Sequence, residues 1–168
     1  MRIKYLVLIF LLIIFGVGMT KKPKTTQFEY GITKIIKQFN VDSKGGTFKI
    51  SEADTPINNV SIEIPYEALE KEITISIGYN DGKLIPRTGK SSGVILVIES
   101  DKKTVKFKKH ITITLSYDTS VNPKWIIGYQ IDNNGKLHAV DTGKMDREFG
   151  TISFYSFKTL MMTWVYIF

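Results

Sequence analysis

The sequence contains no cysteine, which excludes disulfide bonds, thiolate metal ligands, thiol nucleophiles and lipid attachment to an N-terminal cysteine. Histidine is almost as scarce, because only His110 and His138 occur and neither lies in a metal-binding spacing such as HExxH. P-loop and GxGxxG motifs are missing too. We therefore expect a protein that is not an enzyme and that needs no cofactor or metal.

The chain also lacks a basic excess over most of its length, although its formal net charge is +7. Five of its 23 basic residues lie in residues 1–24, which contain no acid, so the remainder has 18 basic and 16 acidic residues. A domain that binds nucleic acid needs a basic surface on its folded part. We expect no nucleic-acid partner.

Long apolar runs are missing except at the N-terminus, where a short basic start precedes the apolar residues 5–19. This order is typical of a signal peptide. The run has 15 residues, fewer than the roughly 18–20 that span a bilayer comfortably. Three interpretations of residues 1–19 stay open: a cleaved leader, a retained anchor that contacts the membrane through residues 5–19, or a buried core helix. The first two predict an exported domain that is periplasmic, secreted or at the cell surface.

Beyond an expected linker at residues 20–33, residues 34–168 have the length of one domain. Apolar and polar residues alternate there with the period of two that is typical of half-buried strands. The predicted strands centre on residues 48–50, 60–64, 73–77, 94–98, 126–131, 137–140, 151–154 and 162–167, with a pair of strands across 105–117. Val94 to Ile98 is continuously apolar, which predicts a central strand. Residues 67–72 form one helical turn at most.

Residues that favour turns separate these segments. They are Gly45-Gly46, Asn80-Asp81-Gly82, residues 89–93, residues 132–135 and Gly143. Asn134-Gly135 is the strongest hairpin signal. The whole pattern predicts an all-β protein, an antiparallel β-sandwich preceded by a signal peptide or anchor helix.

Three segments of this pattern resemble the ZU-five domain, the β-sandwich of netrin receptors and ankyrins, whose bacterial relatives are often exported. They are residues 45–48 (GGTF), residues 60–69 (VSIEIPYEAL) and residues 73–77 (ITISI). Residues 107–115 are similar to the family's middle strand pair, and residues 150–160 to its closing strand. The likeness covers about residues 40–165.

The chain departs from the family at three places. The family usually has glycine where Glu67 stands and proline where His110 stands. Some relatives cleave themselves at a His-Phe-Ser tripeptide, whereas the aligned residues here are Phe154-Tyr155-Ser156. Because no histidine precedes Ser156 as a base, we expect no self-cleavage. The resemblance implies a non-catalytic interaction or structural module of the cell envelope, whose partner is another envelope protein or a cell-surface polymer.

One candidate contact patch stands out, formed by Lys103, Lys106, Lys108 and Lys109. These lysines could bind an anionic lipid, glycan or polymer. The alternative is that they protect an exposed edge strand against aggregation while Val105 and Phe107 fill the core.

Two further binding hypotheses, for carbohydrate and for calcium, stay open, each beside a simpler structural explanation. Carbohydrate could stack on a platform of aromatic side chains, although core filling is the more usual role of most such residues. The candidates are Trp125, Tyr129, Tyr155, Trp164 and Tyr166. Residues 132–135 resemble the start of a calcium loop, but no glutamate follows at the required spacing and a plain hairpin accounts for them.

Overall fold

The computed structural model describes residues 25–102, 105–122 and 124–168. The expected leader or anchor, residues 1–19, lies outside these ranges. Within them no helix is long and apolar enough to cross a membrane. The described chain is all-β, as predicted, apart from one 3-10 turn at Thr119–Val121.

The described residues form twelve strands, and all pairings among these strands are antiparallel. They are β1 (Gln27–Glu29), β2 (Thr33–Val41), β3 (Gly46–Lys49), β4 (Ser61–Ile64), β5 (Ile73–Asn80), β6 (Lys83–Ile85), β7 (Lys90–Ser100), β8 (Lys106–Ser116), β9 (Trp125–Ile131), β10 (Leu137–Asp146), β11 (Thr151–Lys158) and β12 (Leu160–Ile167).

Ten of these strands form one sheet in the order β2-β5-β7-β12-β9-β10-β11-β8-β4-β3. Its two edge strands, β2 and β3, are consecutive in the chain and meet through Phe39 and Phe48, whose ring centroids lie 4.8 Å apart. The sheet is therefore curled into a nearly closed, barrel-like arrangement.

The bend of the sheet lies in β10, which changes neighbours halfway along. Residues 137–140 pair with β9, whereas Asp141 and the residues after it pair with β11. The inner faces of the two halves consequently meet in one core, in which Phe154 is fully buried. Gly128 of β9 makes room for this ring, since a Cβ atom there would lie 2.6 Å from it.

The strand predictions are largely confirmed, and β7 is central, between β5 and β12. The pair of strands predicted across residues 105–117 is wrong, because β8 is one strand. It contains a bulge, since five steps along β8 from Lys106 to Ile111 oppose two steps along β11. The bulge interrupts the alternation, which is why the sequence suggested two strands.

Two of the predicted turns are also bulges within strands. Gly93 lies inside β7, opposite an irregular register with β12, and Gly143 lies inside β10 where the register with β11 shifts. Glycine tolerates the backbone of a bulge as readily as that of a turn, so composition does not separate the two. The predicted turns at Gly45-Gly46, residues 80–82 and residues 132–135 are confirmed.

The segment expected to be a linker, residues 20–33, contains β1, which pairs with β6. Buried Asn80 fixes this segment to the domain, because its side-chain amide exchanges hydrogen bonds with the backbone of Gly31 at 3.0 and 3.1 Å. The Tyr30 hydroxyl group donates to the carbonyl of Asp132 and accepts from Gly135 N at 3.0 Å. Residues 27–32 are thus part of the folded domain.

The core assignment predicts a large difference between two phenylalanines of β11. Phe154→Ala should lower the free energy of unfolding by about 3–5 kcal/mol, because it leaves a cavity in a core that cannot collapse fully. Phe157→Ala, at a position that is 57% exposed, should change it by about 0.5 kcal/mol or less. Urea unfolding of both variants measures this, and equal losses would contradict the assigned strand faces.

A second prediction concerns Glu67, whose φ of 61° lies in the left-handed region that favours glycine. Glu67→Gly should be more stable to urea than Glu67→Ala by about 1 kcal/mol, because only alanine has a Cβ strained by this backbone. Both variants lose the same contact with Lys109, so their difference isolates the backbone. Equal stabilities would show that position 67 does not need this conformation.

Candidate functional site

One concavity of the domain follows from the change of neighbours in β10. Asp141 is the first residue of β10 that pairs with β11, opposite Tyr155, so Ser156 to Lys158 diverge from β10. Between the diverging strands lies a cavity of about 330 Å³ that we call the seam cleft. Its lining comprises Lys106, Phe107, Gln130, Ala139, Val140, Asp141, Tyr155, Ser156, Phe157 and Lys158.

The floor of the seam cleft lies where the core ends. Phe107 is a buried core residue. Gln130 lies on the same side of β9 as Ile126, which belongs to the core, and pairs with buried Met162. The cleft therefore combines an apolar floor with an amide that can both donate and accept hydrogen bonds, a combination typical of small ligand sites.

Two lysines stand at the rim of the seam cleft. Lys106 of β8 and Lys158 of β11 are directly opposite each other in the ladder, and both are exposed. Like charges in this arrangement repel each other. Neither ammonium group forms an ion pair with a carboxylate of the described residues. The pair places two positive charges at an opening whose lining also includes the carboxylate of Asp141.

Aromatic rings adjoin this charge on the outer face of β8 and β11. Phe157 is 57% exposed, and Tyr155 is half-buried. The ring of His110 meets both edge-on, with centroid distances of 4.8 Å to Tyr155 and 5.9 Å to Phe157. These rings can offer flat apolar surface to a sugar or to an aromatic side chain of a partner.

The structure divides the predicted lysine patch. Lys106 lies in the seam cleft and Lys103 lies outside the described residues. Lys108 forms an ion pair with Glu70 at 2.9 Å, and Lys109 forms one with Glu67 at 3.6 Å. The hydrogen bond from Lys108 holds the pKa of Glu70 below its ordinary value.

The protective role proposed for an edge strand does not fit β8. This strand lies between β11 and β4 in the sheet, and the backbone N–H of Lys108 donates to the carbonyl of Ala68 at 2.9 Å. Sequence reasoning also missed Lys158, because its neighbour Lys106 is 52 positions away and only the long-range register joins them.

A second groove, of about 610 Å³, continues from the seam cleft. The two concavities share Gln130 and Lys158. The second groove extends between Glu99 of β7 and the hairpin at Asp132, with Tyr30 on its wall. Together they form an extended surface that could accommodate a chain-like ligand.

The aromatic residues considered as a sugar platform do not share one wet face. Trp164 and Tyr166 are buried in the core. Trp125 is 57% exposed but lies at the opposite end of β9 from Gln130, whereas Tyr155 borders the seam cleft. The exposed ring that sequence reasoning missed there is Phe157, whose alternation in β11 could have indicated an outward position.

Ser156 and Asp132 have local structural contacts. The Ser156 hydroxyl group donates to the carbonyl of Lys158 at 2.9 Å and accepts from its N–H at 3.2 Å. The Asp132 carboxylate accepts hydrogen bonds from the backbone of Asn134 and Lys136 at 2.9 Å each and contacts the His138 ring at 3.0 Å. Among the described residues no group of three His, Asp or Glu side chains could hold a metal ion.

These contacts predict how stability depends on pH. The hydrogen bond with His138 and those from the Lys136 and Asn134 backbone lower the pKa of Asp132. A lowered pKa stabilises the fold above the carboxyl group's ordinary pKa of about 4, and this contribution is lost as the pH falls through the folded-state value.

Asp132→Asn keeps an acceptor for both backbone groups and removes the charge. The variant should therefore lose less stability than the wild type when urea unfolding is compared at about pH 5 and about pH 3. His138→Gln, which keeps the carboxylate, should give an intermediate loss. Identical pH dependence in wild type and Asp132→Asn would refute this role of Asp132.

Comparison with known proteins supplies no family. No protein-family model matches the chain. No curated protein matches it either. The resemblance to ZU-five domains stays a prediction based on the residues quoted for it.

Proposed function

We propose that this protein is an exported, non-catalytic interaction or structural module of the cell envelope, built on a ZU-five-like β-sandwich. Its contact surface is the seam cleft with its lysine pair and adjoining aromatic rings. Its partner is another envelope protein or a cell-surface polymer.

Export is supported by the order of residues 1–19, a basic start followed by an apolar run and small residues. Expression of the full-length chain in a bacterial host, followed by fractionation and determination of the product's N-terminus, tests it. A new N-terminus near Met19 with soluble exported protein would indicate a leader. An intact Met1 in the membrane fraction would indicate an anchor, and intact soluble protein in the cytoplasm would contradict export.

Two local features support the ZU-five-like part of the proposal. Glu67 occupies the position at which that family usually has glycine, and its φ of 61° is a conformation that favours glycine. His110 occupies the position of the family's proline and lies in the bulge of β8, where regular ladder bonds are interrupted. Under the proposal of a ZU-five-like sandwich, the strands on either side of β10 are its two layers.

The observation that carries the contact function is the opposed pair Lys106 and Lys158. Packing gives no reason to place two cations opposite each other, because that arrangement lowers stability, and Asp141 in the same lining forms an ion pair with neither lysine. An anionic ligand in the seam cleft would remove the repulsion and gain two charge-assisted hydrogen bonds. The site therefore favours a partner that carries carboxylate, sulfate or phosphate groups.

The second candidate function is a carbohydrate- or polymer-binding accessory domain at the cell surface. The exposed ring of Phe157 and the half-buried ring of Tyr155 beside Gln130 favour it. Aromatic faces stack on sugar rings while an amide orients their hydroxyl groups. The adjacent lysines favour an acidic polymer over a neutral one.

We predict that the double variant Lys106→Glu/Lys158→Glu binds an anionic polysaccharide such as polygalacturonate at least about 10-fold more weakly than the wild type. Each lost charge-assisted hydrogen bond is worth roughly 1.5–3 kcal/mol, and about 1.4 kcal/mol corresponds to tenfold in affinity. Isothermal titration calorimetry at low and moderate salt measures it.

Lys108→Glu/Lys109→Glu is the matched control, because it also reverses two lysine charges and both lysines lie on β8 outside the seam cleft. It should leave the affinity within about twofold. An equal loss in the control would mean that the polymer responds to overall charge and not to the cleft. If the wild-type protein binds no polysaccharide, the hypothesis of a polymer ligand is rejected and a protein partner is favoured.

A further inference from the structure

A second surface lies at the opposite end of the domain from the seam cleft and carries three large exposed aromatic side chains. Trp125, Phe149 and Phe168 are 57%, 75% and 65% exposed. Exposed aromatic residues of this size are costly in water, and a cluster of them indicates a contact with a partner or a membrane. We call this surface the aromatic end.

The strand register places these three residues at one end of the fold. Trp125 pairs with Ile167, which precedes Phe168. Phe149 precedes Gly150, whose carbonyl accepts from the N–H of Tyr117, and the next N–H, that of Asp118, donates to the hydroxyl group of Tyr166. The loops around residues 117–122 and 147–150 therefore adjoin the ends of β9 and β12.

The N-terminal part of the described chain also reaches this end. The backbone N–H of Arg87 donates to the Thr26 hydroxyl group at 3.1 Å. Arg87 lies in the connection between β6 and β7, and Lys90, the first residue of β7, pairs with Tyr166 of β12. Thr26 thus lies near the β12 terminus, at the aromatic end.

The distance to the apolar run before the domain is short. Seven positions separate Met19, the last residue of that run, from Thr26. A fully extended chain spans at most about 3.6 Å per residue, so seven residues reach roughly 25 Å. If residues 5–19 are held in a bilayer, the aromatic end must lie within that distance of its surface.

The charges at the aromatic end suit an anionic lipid surface. Its loops and strand ends contain five basic residues, Arg87, Lys90, Lys124, Lys144 and Arg147, against the three acids Asp118, Asp146 and Glu148. Two of the acids have local contacts, because Asp118 accepts from Ser120 N at 3.0 Å and Asp146 pairs with Lys144 at 3.3 Å. The chain just before the domain adds Lys21, Lys22 and Lys24.

Trp125 and its neighbour Lys124 combine an exposed aromatic ring and a positive charge in one place. The Lys124 ammonium group lies 4.7 Å from the centroid of its ring. Tryptophan prefers the interface between headgroups and acyl chains, where its ring is apolar and its N–H group stays hydrated. Lysine beside it can reach the phosphate groups of the same lipids.

From these observations we infer that the aromatic end is a membrane-docking surface, on which Trp125 and Phe168 enter the interface of an anionic bilayer while the surrounding cations bind its headgroups. The inference rests on the tethered form of the proposed function and not on the ligand of the seam cleft. Docking in this orientation points the seam cleft away from the bilayer, because Lys106 and Ser116 mark opposite ends of β8.

The two tryptophans of the chain supply the test, since Trp125 is exposed and Trp164 is buried in the core. The full-length protein is reconstituted into vesicles of phosphatidylglycerol and phosphatidylcholine that contain lipids brominated on their acyl chains. Bromine should quench the wild-type emission clearly, and Trp125→Phe should abolish most of that quenching. Trp125→Phe is also expected to fold normally, because the replaced ring is exposed.

Charge-reversal variants give a matched comparison. Arg87→Glu/Lys124→Glu should reduce the quenching of Trp125 at least twofold in anionic vesicles, whereas Lys106→Glu/Lys158→Glu at the seam cleft should not change it. Protein that floats with the vesicles while Trp125 stays unquenched would overturn the docking inference and leave the tether intact. Protein that does not float would overturn the tether and the docking together.

Discussion

The structure depends on one constraint, which is that β10 cannot pair along its whole length with both neighbours. A sheet of ten strands with one apolar face would expose that face if it stayed open and flat. Because β10 passes from β9 to β11 between Val140 and Asp141, the two halves turn toward each other and bury the face between them. Gly128 permits this closure, since any side chain there would collide with Phe154.

The same change of neighbours creates the seam cleft. The ladder between β10 and β11 begins at Asp141 and Tyr155, so the strand segments that diverge from this point leave a wedge. A wedge in a folded sheet must be filled by side chains, solvent or a ligand. Here its floor is apolar and its rim carries Lys106 and Lys158, which makes the opening wet and positively charged.

Local pattern predicts much of this fold and little of its surface. The period of two located the β-strands, and Asp132 with Asn134-Gly135 located the hairpin, because both signals arise within a few neighbouring residues. The bulge at residues 107–110 disrupted the same period and made β8 look like two strands. The sequence predicts that Tyr30 lies in a linker, because its hydrogen-bond partners Asp132 and Gly135 are more than 100 positions away and leave no local signal.

Prediction of the candidate site from the sequence depends even more on long-range strand register. A run of lysines in the sequence suggested one patch, but the fold neutralises Lys108 and Lys109 with Glu70 and Glu67. It brings Lys106 opposite Lys158 instead, a relation that no local pattern contains.

Lysines that protect an edge strand are easy to recognise by comparison. On β2, an edge of the ten-stranded sheet, Lys34 and Lys37 lie over the rings of Tyr79 and Phe39 at 5.7 and 5.5 Å. Such contacts cover apolar surface and offset part of the cost of an exposed charge. At the seam cleft, by contrast, two cations oppose each other across a ladder. Because β8 and β11 both lie inside the sheet, neither lysine protects an edge strand, and the anionic ligand proposed for the seam cleft would remove the repulsion between them.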